Sequence, residues 1–255
     1  MTREDYESLL SSILDIGKIM LVAGAEIYRI EDTIRRLALA YDGERLQVVA
    51  VPSHIIVTAT FDNREYSLSR RIDMTQTDLE KLDRVNNLCR MICVQKPEPS
   101  LLPEMIEKAG RGKDYSRFQT SLIYGFASSM FTLFYAGGWR EAVISAIGGA
   151  SLYQLKYFIQ KSRGNQVFVN ILCSAYAALL AILSEHFGLA GDADKIIIGV
   201  VMVLTPGVEL LNSFRDFIAG DIQAGLMHLA EALFLAIMIA VGAAGMFALA
   251  RYMGL

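Results

Sequence analysis

The run Leu204-Thr205-Pro206-Gly207-Val208-Glu209, followed by Asn212, Arg215 and Asp216, carries the sharpest chemical signal in this chain. Proline removes a helical hydrogen bond and clashes with the preceding turn. With glycine beside it, the apolar helix around Pro206 is expected to break. Broken membrane helices expose backbone dipoles where ions and substrates bind. Glu209 lies within a turn of that break, and a carboxylate inside a span faces a cavity or a partner. The competing reading is a kinked packing helix with Glu209 reaching the cytosolic surface. A second constellation, His228 and Glu231, is spaced by three and falls on one helical face. A histidine beside a carboxylate relays protons near neutral pH; alternatively, both side chains sit at the membrane interface. No further ligands with metal spacing accompany them, so no metal is expected. Asp221, just upstream, reads as a loop or cap residue.

The third signal is Gly24-Ala25-Glu26-Ile27-Tyr28-Arg29-Ile30-Glu31. Glu26, Tyr28, Arg29 and Glu31 are its polar and aromatic members. Arg29, Thr33 and Arg36 project from one helical face and could hold an anion through guanidinium forks. The plainer reading is a solvated face with local ion pairs. Arg70 and Arg71 could join the same patch. Ser53-His54 has no acidic partner, which argues against a hydrolase. No phosphate-binding glycine loop is present, which argues against an ATP-driven pump and against a nucleotide cofactor. Cys89, Cys93 and Cys173 fit a reducing compartment, Cys89 and Cys93 as small buried residues or as a thiol pair.

The elements that must position these residues divide near residue 117. Of the charged side chains, 36 lie in residues 1–117 and 15 in the remainder of the 255. The first part shows helical spacing over about 4–22 and 26–41, with a break at Gly24. Gln47–Val51 and Ile55–Phe61 read as strands, Asp62-Asn63 as a turn and Glu65–Arg70 as the next strand. Thr77 to Glu80 has the form of a capping box opening a helix through Ile92. Pro97, Pro99 and Pro103 make a connector. The second part opens with 22 uncharged residues, Phe118–Trp139, about the length that spans a bilayer core. Further candidates cover about Glu141–Phe158, Val167–Ser184, a segment from Ile196 into the Pro206 break, and Gly225–Ala250. The expected architecture is a soluble α+β domain over 1–116, followed by a transmembrane bundle of about five spans over 117–255.

No secretory signal opens the chain, and Lys and Arg near the span ends favour a cytosolic N-terminus. The inner side would carry Lys108, Arg111, Lys113, Arg117, Lys156, Lys161, Arg163 and Arg215, against Arg140, Lys195 and Arg251 outside. Five spans would place the C-terminus outside. The small net charge of −3 gives no sign of a nucleic acid partner.

In order, these motifs resemble the threonine/serine exporter family, in its larger N-terminal portion. The resemblance is carried by Gly24–Thr33, the strand around Thr58–Thr60, Arg70-Arg71, Asp78-Leu79-Lys81-Leu82 with Asn86, and Leu204–Asp216. It implies a cytosolic domain ahead of membrane spans and proton-driven export of small amino acids such as threonine and serine. Some members are two-protein systems, and a similar split pair is linked to export of succinate. The chain ends at Leu255 without the family's second, smaller membrane portion, so it resembles the larger subunit of the split form. The expectation is therefore a multi-pass inner-membrane subunit, in contact with lipid, exporting a small-molecule substrate with a smaller membrane partner. Homo-oligomerisation remains open. A membrane-anchored metabolite sensor is the alternative.

Overall fold

The computed structural model describes residues 2–72, 77–112, 115–161 and 165–254. Lys113 and Arg163, counted above for orientation, lie outside the described residues.

The chain opens with helix α1 (Arg3–Val22), capped reciprocally by Thr2 and Asp5. Its amide chain turns at Gly24, whose φ of +87° lies in the left-handed region that a side chain disfavours. Helix α2 (Ile27–Ala40) follows. Strands β1 (Glu44–Val51), β2 (His54–Phe61) and β3 (Arg64–Arg71) form an antiparallel sheet in that order. Asp62 and Asn63 both take positive φ between β2 and β3, the geometry of a two-residue hairpin turn. Helix α3 (Leu79–Gln95) is capped by Asp78, which accepts from the Lys81 amide, so a single cap one residue later stands in place of the expected Thr77–Glu80 box. The proline-rich stretch is helical rather than a bare connector: a 3-10 turn at Pro99–Leu101 leads into α4 (Leu102–Gly110). Prolines at the first helical positions are tolerated because their missing amides would be unbonded there. Then come α5 (Arg117–Phe134), α6 (Trp139–Lys161), α7 (Gln166–His186), α8 (Ala193–Met202), α9 (Gly207–Ala219) and α10 (Ile222–Met253).

Two compact units result, one of Met1–Lys113 with Val208–Ala230, the other of Asp114–Gly207 with Glu231–Leu255. In the first, alternate residues Ile55, Val57, Ala59 and Phe61 of β2 bury one face of the sheet. They share a core with Leu9, Ile13 and Met20 of α1, with Ile27, Ile30, Ile34 and Leu37 of α2, and with Ala224 of α10. In the second, Leu152, Val169, Cys173, Ala177, Ile196, Val200 and Ile239 form the core.

The expected architecture, a soluble α+β domain ahead of a five-span bundle, is corrected on two counts. Among the described residues, only α7 and α10 are each long and apolar enough to cross a membrane, and a third span arises only if α8 and α9 are taken together. Helices α5 and α6 are uncharged over long runs but not strongly apolar. Thr120, Ser121, Ser128, Ser129 and Thr132 dilute α5, while Ser145, Ser151, Gln154 and Lys156 dilute α6. An uncharged run is not thereby a hydrophobic one. In addition, the unit built on the sheet is not confined to the N-terminal part, because it takes in Val208–Ala230. The argument from an odd count of five to an outside C-terminus falls with the count.

Candidate functional site

The site grows from two turns of the first unit. One is the Gly24 turn between α1 and α2; the other is the turn between α9 and α10. Gly220 closes α9 with φ of +88°, and the Asp221 carboxylate accepts from the Ala224 amide at 3.1 Å, capping α10. Ser213 Oγ donates to the Gly225 carbonyl at 2.9 Å, drawing the two helices together near that turn.

Glu26 is the hub. It precedes α2, and its side chain is only 8% exposed. Arg215 Nη1 donates to its Oε1 at 2.6 Å, and Arg29 Nη1 to its Oε2 at 3.2 Å. One buried carboxylate thus holds two guanidinium groups, one from its own helix and one from α9. Asn212, one turn before Arg215, donates to the Gly24 carbonyl at 3.3 Å. These bonds join sequence positions almost 190 residues apart and set the register of α9 against the Gly24 turn.

On α9 the residue after Arg215 turns inward. Asp216 is fully buried, and its Oδ2 lies 2.8 Å from Nδ1 of His228, itself 7% exposed. Its other oxygen, Oδ1, is buried and has no hydrogen-bond partner among the described residues. His228 was expected to work with Glu231; its carboxylate neighbour is Asp216, and Glu231 is exposed. Thr205 and Pro206 lie in the interruption between Met202 and Gly207, and the Thr205 hydroxyl donates back to the Val201 carbonyl at 3.4 Å. A Cβ at Gly207 would meet nothing within 4 Å. Glu209, half-buried, stands in the first turn of α9, where a negative charge suits the helix dipole.

On the anion face expected along α2, Arg29 and Arg36 each make a local pair. Arg29 is bound to Glu26, and Arg36 to Asp32 at 2.8 Å. Arg70 turns elsewhere, to Asp15 and Ser11 of α1. Tyr28 is 46% exposed beside Arg29. Glu31 accepts from the Ala50 amide of β1 at 2.9 Å. Burial raises its carboxyl above the ordinary value; the Ala50 bond opposes this, the Asp221 charge adds to it and Arg35 opposes it. A raised folded-state value means stability present below the unfolded value and lost as pH rises through the folded one. Glu31→Gln keeps the acceptor and removes the charge. Its melting temperature should therefore exceed wild type at pH 7, with the gap closing as pH falls below about 4. A gap that stays constant from pH 7 to pH 4 would contradict this account.

Burial pushes the Cys89 thiol up to about 12, so it stays protonated and inert at neutral pH. No three His, Cys, Asp or Glu side chains gather as metal ligands among the described residues. A cavity of about 420 Å³ lined by Tyr6, Tyr41, Asp42, Asp62, Lys96 and Glu98 contains none of the site residues. A second, of about 680 Å³ along β3 and the start of α1, contains none either.

A buried Asp–His pair and a doubly clamped carboxylate, carried in part on a helix apolar enough to cross a bilayer, define a membrane protein with a charged interior. A family model described as "Putative threonine/serine exporter" matches residues 11–250, and the chain belongs to that family. It is 25% identical over 238 residues to a "Probable threonine/serine exporter" of Mycobacterium tuberculosis, covering 92% of this chain and 45% of the relative. It is 22% identical over 216 residues to a "Threonine/serine exporter" of Corynebacterium glutamicum, covering 80% of this chain and 44% of the relative. It is also 22% identical over 252 residues to the "Probable succinate transporter subunit YjjP" of Escherichia coli, covering 95% of this chain and 94% of the relative. The chain thus spans about half the length of the two exporters and nearly all of the third protein. No solved structure matches.

Proposed function

We propose that this chain is a subunit of a proton-linked secondary exporter, acting on small polar metabolites such as threonine- and serine-type amino acids or dicarboxylates such as succinate. It would act in the inner membrane with its N-terminus in the cytosol and with a smaller membrane partner. The observation that carries the reading is the Asp216–His228 pair, fully buried across the α9–α10 turn with one carboxylate oxygen unbonded among the described residues. Such a pair sets a carboxylate oxygen and a ring nitrogen within hydrogen-bond distance, a geometry through which a proton can pass. On the same two helices and their turn, Arg215 precedes Asp216 and bonds Glu26, and Asp221 caps α10.

Family membership supports export over an anchored sensor or an enzyme. Coverage of 94% of a relative named as a subunit supports a partner. In this reading Glu209, in the first turn of α9, is a further carboxylate of the transport path, and the break at Thr205, Pro206 and Gly207 sets where α9 begins.

The test is reconstitution. The full chain is placed in proteoliposomes with and without a short membrane protein encoded beside it. Labelled threonine, serine and succinate are followed under a pH gradient. Export that accelerates with the gradient and needs the partner is expected, and Glu209→Gln and Pro206→Ala should both slow it. If no substrate moves under any gradient with the partner present, the exporter reading fails and the sensor reading takes its place.

A further inference from the structure

The arginines around Glu26 have more donors than Glu26 can use. Each guanidinium carries five N–H groups. Glu26 accepts one from Arg29 and one from Arg215, and with these two bonds both of its oxygens are engaged. The carboxylate is 8% exposed, whereas the Arg29 and Arg215 side chains are 43% and 50% exposed. The three groups together carry one net positive charge. Two guanidinium groups bonded to the two oxygens of one carboxylate lie near each other, and each keeps N–H groups that Glu26 does not take. Arg215 is fixed by its helix, because Asn212 anchors the previous turn to the Gly24 carbonyl. Arg29 is fixed within the first turn of α2.

We propose that Arg29 and Arg215 form a recognition site for the carboxylate of a small polar substrate, with Glu26 as the resident counter-ion that holds both forks in place. A planar carboxylate is the ligand that a guanidinium fork fits best, and each arginine here gives Glu26 one bond only. The excess positive charge attracts a second carboxylate, and the exposed sides of both arginines leave it a way in. A monocarboxylate amino acid and a dicarboxylate share the recognised group. This assignment rests on the exporter reading only in calling the ligand cargo.

Binding of labelled succinate and L-threonine to the purified full chain tests it, with L-threonine methyl ester as the carboxyl-blocked probe. Wild type should bind the free carboxylates and not the ester. Arg29→Gln and Arg215→Gln should weaken binding about tenfold or more, and Arg215→Lys should weaken it too, since lysine keeps the charge but loses the fork. Glu26→Gln should tighten binding, because it removes the competing negative charge. That opposite sign separates recognition from a merely structural ion pair, whose loss from either side would act in one direction. Equal binding of ester and acid, no binding to wild type, or weakening by Glu26→Gln alongside Arg215→Gln would overturn the proposal. Export by the same preparations is read separately: carboxylate binding without export would sink the exporter reading and leave the site standing.

Discussion

Asp216→Asn should uncouple export from the proton gradient. Gradient-driven export is expected to fall about 100-fold, equivalent to roughly 2.7 kcal/mol in a barrier, while exchange of labelled against unlabelled substrate continues. The reason lies in what asparagine keeps and loses. It has nearly the shape of aspartate, and its amide oxygen can still accept from Nδ1 of His228, 2.8 Å from the carboxylate in wild type. The fold should therefore survive, as a matching melting temperature would confirm. What asparagine cannot do is take up and release a proton. Exchange needs no net proton movement, so it is spared; net export needs one, so it stops. His228→Gln should behave alike, since it removes the other proton carrier of the pair. Wild-type gradient dependence in Asp216→Asn would remove this pair from the coupling path. Loss of export and exchange together, with the protein still folded, would make Asp216 part of substrate binding instead.

Much of this site was legible in the sequence as two separate motifs, and none of it as a single site. Glycine at position 24 and the polar pattern from Glu26 to Glu31 marked one turn. The Pro206 break and the Asn212, Arg215, Asp216 series marked the other. Helical periodicity placed Arg215 and Asp216 on different faces of one helix, but no local rule can pair Glu26 with a residue 189 positions away. The same limit explains His228. Spacing of three pointed to Glu231, whereas a tight helix–turn–helix brought Asp216 to its other side, twelve positions back. Most elements followed from period and turn chemistry, the Asp62-Asn63 hairpin being the clearest case; the 3-10 turn and α4 did not, because the prolines there read as a connector. The span count did not follow, because serine, threonine and glycine extend an uncharged run without making it apolar. In α5 and α6 those same residues serve helix contact.

That contact sets the largest structural effect expected in the second unit. A Cβ on Gly149 of α6 would run into Ser128 Oγ and lie 2.6 Å from the Tyr124 carbonyl of α5. A Cβ on Gly125 of α5 would lie 2.6 Å from the Ala146 carbonyl of α6. The two helices therefore meet backbone to backbone at reciprocal glycines, the arrangement that small residues permit between membrane helices. Hydroxyls complete the seam: Ser121 donates to the Ala150 carbonyl at 2.6 Å, and Thr132 to Ser145 Oγ at 2.7 Å. Backbone carbonyls cannot rotate away as a flexible side chain could, so even one added methyl must push the helices apart. Gly149→Ala is thus expected to destabilise by about 1–3 kcal/mol, the usual range for overpacking, and Gly149→Leu by more. Gly245 on α10 is the control, since a Cβ there meets nothing within 4 Å and alanine favours a helix over glycine by about 1 kcal/mol. Thermal melting in detergent, read by size exclusion after heating, should show Gly149→Ala lost several degrees below wild type and Gly245→Ala at or above it. Equal melting of the two variants would mean that α5 and α6 can part slightly at no cost, and that the seam is held by its hydroxyl bonds rather than by the close approach of its backbones.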